Sequence, residues 1–133
     1  MLRTRRAERP YAEVCGSMDA ICRQHGYGVL GSHDIAATLR DKGFAYGGNC
    51  TVFEICHPGH AAALVSSDPQ LASALPCRIA VSDNNGSTSV SLVSPAQLLK
   101  GLSNDQAIHQ LADVIEAENL SILDACSQAS HHL

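Results

Sequence analysis

"CRIAVSDNNGSTSVSLVS", residues 77–94, holds two alternating apolar–polar runs on either side of Asn84-Asn85-Gly86. A period of two places every second side chain on one face of a strand. Asn-Gly between two such runs signals a tight hairpin, because the primed turn needs positive φ at both central positions. The stretch therefore predicts an antiparallel hairpin, with Cys77, Ile79 and Val81 in phase on its first strand.

Working outward, "NCTVFEIC" (49–56) reads as a strand with Thr51, Phe53 and Ile55 on one side and Cys50, Val52, Glu54 and Cys56 on the other. "YGVLGS" (27–32) reads as a shorter strand. Between these lie helices with recognisable ends. Ser17 fits as the cap of "MDAICRQH", which stops at Gly26, and Asp34 as the cap of "IAATLRDK", which ends at Gly43 with Ile35 and Leu39 on its buried side. Pro58 suits the first turn of "PGHAAALVSS", and Asp68-Pro69 starts "PQLASAL". Ser94-Pro95 opens a short helix ending near Gly101. Ser103 with Gln106 forms a capping box for a long helix with Ile108, Leu111, Ala112 and Ile115 along one face. The order α-β-α-β-α-β-β-α gives an α+β class: a single sheet of about four strands with an antiparallel hairpin, and helices packed on it. Glu54 and Arg78 are expected to pair across neighbouring strands.

A chain of 133 residues with 17% charged residues supports one core and argues against disorder. The expected organisation is an arginine-rich flexible N-terminus over 1–11 (Arg3, Arg5, Arg6, Arg9), a single α+β domain over 12–126, and a frayed tail over 127–133 carrying His131 and His132. The absence of Trp and the 4% aromatic content disfavour stacking platforms, so no nucleic-acid partner is expected. No apolar run approaches about 18 residues, and no export signal opens the chain; the expectation is a cytoplasmic protein with no membrane partner.

Six cysteines, at 15, 22, 50, 56, 77 and 126, contain no C-x-x-C, so neither a zinc ribbon nor a thioredoxin-type pair is indicated, and reduced thiols are expected. Cys15, Cys22, Cys50 and Cys126 read as small buried hydrophobes. His25, His33 and His109 read as surface or cap residues. Cys56 and Cys77 differ, because both lie at element junctions. Cys56 ends a strand just before a helix start, where the dipole would lower a thiol pKa. Cys77 lies near it if the 57–76 connection returns to the same sheet edge, and far from it if that connection is a parallel crossover. Cys56 is also out of phase with Phe53 and Ile55, whereas Cys77 is in phase with Ile79. His57 and His60 in "CHPGH" add imidazoles, making Cys56, Cys77, His57 and His60 a mixed sulfur–nitrogen set of the type zinc or cuprous copper takes.

The chain resembles the small bacterial and archaeal family called domain of unknown function 302, from about Ala12 to Leu99. Its markers are "GYGVL" (26–30) with "HDIAATLRDKG" (33–43), "FEICHPGHAAAL" (53–64), and "LPCRIAV" (75–81) leading to "SLVSP" (91–95). Cys56, Pro58, Pro76 and Cys77 match the family's Cys-Asn-Pro and Leu-Pro-Cys segments. His57 replaces the usual Asn, a poorer helix cap, so the cap is expected to be weaker or met by another group. The family leads with a strand, which "RRAERPYAEV" (5–14) matches poorly, with "PYAEV" the candidate for a short edge strand. The resemblance implies a compact α+β domain, commonly a homodimer, and implies no activity.

Three functions fit these residues. The first is a binding or carrier module holding a soft ligand, a metal ion or sulfur species, at Cys56 and Cys77. The second is a thiol-dependent redox or sulfur-transfer enzyme with Cys56 as nucleophile, Cys77 as resolving thiol or as the hydrogen-bond partner of Cys56, and His57 or His60 as base. The third is a structural or interaction domain with both thiols in its core.

Overall fold

A computed structural model describes residues 1–128; His131 and His132, and most of the expected tail, lie outside the described residues. Five strands, β1 (Leu2–Ala7), β2 (Gly28–Asp34), β3 (Asn49–Cys56), β4 (Cys77–Asn84) and β5 (Ser87–Val93), form one sheet in the order β1-β5-β4-β3-β2. Every neighbouring pair is antiparallel. Five α-helices accompany them: α1 (Tyr11–Gln24), α2 (Ile35–Asp41), α3 (Pro58–Ser67), α4 (Pro95–Leu102) and α5 (Gln106–Ser127), with a 3₁₀ turn over Pro69–Ala74. The class is α+β, as expected, with five strands rather than four.

The hairpin that anchors the reading is present. Asn85 (φ 54°) and Gly86 (φ 81°) make the turn, and β4 pairs with β5 from Asn84↔Ser87 to Ile79↔Leu92. The alternation also sorts as expected. Phe53, Ile55, Ile79, Val81, Val90 and Leu92 are buried beneath helices, together with Val14, Met18 and Cys22 of α1 and Ile122, Leu123 and Cys126 of α5. On the other face, Val52, Ala80, Ser82, Ser89 and Ser91 stay half-exposed. A smaller cluster joins Leu64, Leu71, Ala96, Leu99, Ile108, Ala112 and Ile115 at the end of the sheet where β4 begins.

The fifth strand comes from the stretch expected to be a flexible arm. Leu2–Ala7 pair residue for residue with β5, from Leu2↔Val93 to Ala7↔Thr88. Arg3 and Arg5 turn toward α5, where they meet Glu116 (3.6 Å) and Asp124 (2.8 Å). The Arg5–Asp124 pair is exposed and stabilises little, about 0.2–1 kcal/mol; the backbone ladder carries the strand. An edge strand rich in charge is a common guard against further pairing, and that is why it does not read as apolar alternation.

Other differences are local. "PYAEV" is not an edge strand, because α1 starts at Tyr11 directly after Pro10; Ser17 is mid-helix and bonds back to the Val14 carbonyl. On α2 the Asp34 cap is made, its Oδ1 accepting from Ala37 N–H at 2.9 Å, but Ala36 is the buried residue and Ile35 is exposed. The long helix is capped by Asp105 rather than Ser103, with Oδ1 accepting from Ala107 N–H. Glu54 and Arg78 are register partners, yet Glu54 Oε1 bonds His33 Nε2 at 2.5 Å, so the expected ion pair is not formed. Among the described residues no helix is long and apolar enough to cross a membrane.

Candidate functional site

Antiparallel pairing of β3 with β4 settles where the second thiol lies. Ile55 is the register partner of Cys77, so the 57–76 connection returns to the adjacent strand and Cys56 stands one residue beyond that pair. The two cysteines project to opposite sides of the pleat, as their phases require. They nonetheless line one small crevice with Tyr27, His57, His60 and Ile115, at the sheet end where α3 starts. Its volume is about 10 Å³, near the minimum for a single water.

His57 occupies the N-cap of α3, and its Nδ1 accepts from the His60 N–H at 3.1 Å. The substitution for Asn therefore keeps the cap, through a ring nitrogen in place of an amide oxygen. A backbone N–H only donates, so Nδ1 is the acceptor in this cap. The sequence makes room for it. A Cβ on Gly59 would lie 3.0 Å from His57 Cε1, and one on Gly26 (φ +80°) 3.4 Å from Cδ2. The imidazoles of His57 and His60 stack with centroids 3.8 Å apart and planes at 19°, and Tyr27 meets His57 edge-on at 5.4 Å.

Behind the rings lies a polar relay. Glu118 of α5 accepts through Oε1 from the Tyr27 hydroxyl at 2.9 Å and from His60 Nε2 at 2.7 Å. Asn119, fully buried, donates to the Ile115 carbonyl at 2.7 Å and more weakly to the Tyr27 oxygen at 3.4 Å. Burial opposes charge on Glu118, but the hydrogen bonds from His60 and Tyr27 and the field of both histidines outweigh it and lower its pKa. Glu118 is then an acceptor-only carboxylate, so His60 donates Nε2–H to it. An imidazole oriented by a carboxylate suits either ligand binding or proton transfer.

The thiols differ from the expectation based on the helix start. Burial raises the Cys56 pKa instead of the dipole lowering it. Cys56 precedes the capping residue and so falls short of the free N–H groups of the first turn. Burial, with a smaller contribution from Cys56, pushes Cys77 up to about 11. All six cysteines are free. Cys22 and Cys126 are core residues, with burial the main cause of pKa values near 11 and 12, while Cys15 and Cys50 are half-buried. Among the described residues no group of three or more His, Cys, Asp or Glu side chains is placed to hold a metal ion. Cys56, Cys77, His57 and His60 therefore do not assemble as one four-donor set: His57 Nδ1 caps α3, and His60 Nε2 is held by Glu118.

Tyr27, Glu118 and Asn119 were not singled out from the sequence. One signal existed: Glu118 and Asn119 fall three and four residues after Ile115 on the apolar face of α5, where a polar pair breaks the pattern.

A family model described as "Domain of unknown function DUF302" matches residues 3–126. The chain is similar to the crystal structure of an uncharacterized conserved DUF302 protein from Bacillus stearothermophilus, with 27% identity and a TM-score of 0.87, over 94% of this chain and 97% of that one. No curated protein matches the chain.

Proposed function

The chain belongs to the DUF302 family, whose description names no activity, and from the geometry of its residues we propose a binding or carrier module holding one small soft ligand at Cys56 and Cys77. The observation that carries this reading is the crevice itself: both thiols and both imidazoles line a space of about 10 Å³. That is room for one ion or one water and not for an organic substrate. The raised thiols point the same way, since a nucleophile needs thiolate at neutral pH. A coordinating ion displaces the proton itself. Two sulfur donors without a third ligand group favour a soft monovalent cation such as cuprous copper over zinc, which takes three or four protein ligands. We place the module in the cytoplasm, where its thiols stay reduced. We also expect a homodimer, for which the half-exposed sheet face around Val52 and Ala80 offers a surface.

The test is anaerobic titration with cuprous ion against a chromogenic chelator. The expected result is one ion per chain, lost in Cys56→Ser and in Cys77→Ser, with circular dichroism unchanged. Binding that survives in both variants, or no competition with the chelator, would refute the reading. Rapid alkylation of Cys56 at pH 7 would favour the thiol-enzyme alternative.

A further inference from the structure

Beside the crevice lies a larger space. Where β4 begins, the 3₁₀ turn, the end of β5 and helices α4 and α5 enclose a cavity of about 290 Å³, close to the lower end of small-molecule pockets, about 300–1,000 Å³. Its walls are mainly apolar, formed by Leu75, Pro76, Val93, Leu98, Leu99 and Ile115. Arg78 also lines it and is exposed. Among the described residues no hydrogen bond or ion pair engages the Arg78 guanidinium. Its register partner Glu54, the carboxylate best placed to neutralise it, is taken by His33.

An apolar chamber with one unopposed, forked cation is complementary to an amphipathic anion. We propose that this cavity binds an aliphatic monocarboxylate of about six to ten carbons, with its chain against Leu98, Leu99 and Ile115 and its carboxylate on Arg78. The volume sets the length, because a shorter acid leaves apolar wall unfilled and a much longer one protrudes past the exposed Val93. The guanidinium sets the head group, because its parallel N–H donors match the two oxygens of a carboxylate. This site does not depend on the thiol reading: Cys56 lies outside the cavity, although Cys77 lines both spaces.

The probe is octanoate, titrated calorimetrically into the full chain, with 1-octanol, butanoate and inorganic phosphate as comparisons. Octanoate should bind saturably at one site per chain. Arg78→Gln should weaken it about 10-fold or more while leaving 1-octanol unchanged. Butanoate should bind more than about 100-fold more weakly, because each methylene is worth roughly fourfold. Ala74→Phe, which fills the half-buried wall, should abolish binding of both eight-carbon probes. Arg78 is exposed, so its variant should keep the wild-type melting temperature and remains decisive if the Phe variant misfolds. Cys56→Ser should lose cuprous ion and keep octanoate, which separates failure of this proposal from failure of the thiol site. Absence of saturable octanoate binding would overturn it. So would indifference to Arg78→Gln, or phosphate binding as tightly as octanoate.

Discussion

Removing Glu118 should expose how much of the site's order rests on one carboxylate. Tyr27 is 3% exposed, and its hydroxyl has Glu118 as its one acceptor among the described residues. In Glu118→Ala that hydroxyl loses this acceptor, a loss of about 1–3 kcal/mol. His60 is less affected, because its side chain is 20% exposed and can turn to solvent. Tyr27→Phe is the gentler change, about 1 kcal/mol, since Asn119 still donates to the Ile115 carbonyl and no donor is orphaned. The double variant should then cost less than the two singles combined, with a coupling of about 1 kcal/mol. Urea unfolding at pH 7, monitored by circular dichroism, measures all four corners. In thermal terms Glu118→Ala should lower the melting temperature by roughly 4–11 °C. Additive singles, or a Glu118→Ala variant within about 0.5 kcal/mol of the parent, the range of an ordinary surface change, would refute the relay as a stabilising unit.

The same carboxylate predicts a pH effect. Glu118 titrates below its ordinary value of 4.5 in the folded chain, so its contribution is present above that value and is lost as pH falls through the lower folded one. Wild type should therefore lose more stability between about pH 5 and pH 3 than Glu118→Gln does, and parallel melting profiles for the two would contradict the assignment. Gly48 gives a packing test: a Cβ there would lie 2.5 Å from the Asp83 carbonyl oxygen of β4, whereas one on Gly47 meets nothing within 4 Å. Gly48→Ala should lower stability by about 1–3 kcal/mol and Gly47→Ala far less, as read from urea midpoints; equal effects would remove the steric explanation.

Local signals were legible wherever one residue type answers one backbone demand. Asn85-Gly86 had to turn, Asp34 and Pro58 had to begin helices, and the alternation of Phe53 and Ile55 had to face a core. Leu2–Ala7 was not legible, because an edge strand buries little and its arginines resemble a solvated arm until Glu116 and Asp124 are placed opposite them. The site divides in the same way. Cys56, His57, His60 and Cys77 stood out by their junction positions and do meet at one crevice. Glu118 reaches His60 across 58 residues of sequence, a contact that exists only after α5 docks. Only its place on the apolar stripe hinted at it.

The sign of the thiol shift follows from comparing two magnitudes. A helix terminus is worth about 0.3–1 kcal/mol to a nearby charge, less than one pKa unit at about 1.4 kcal/mol per unit, and Cys56 sits one residue outside the capped turn. Desolvation at the crevice outweighs it, and both thiols rise. A raised thiol is a poor nucleophile at neutral pH, yet it remains a competent ligand whose affinity depends on protons. If cuprous ion binds both sulfurs, two protons leave for each ion that enters. Affinity should then climb ~100-fold per pH unit across pH 6–8. A tenfold climb would mean that one sulfur carries the ion, and a flat profile would mean that neither does.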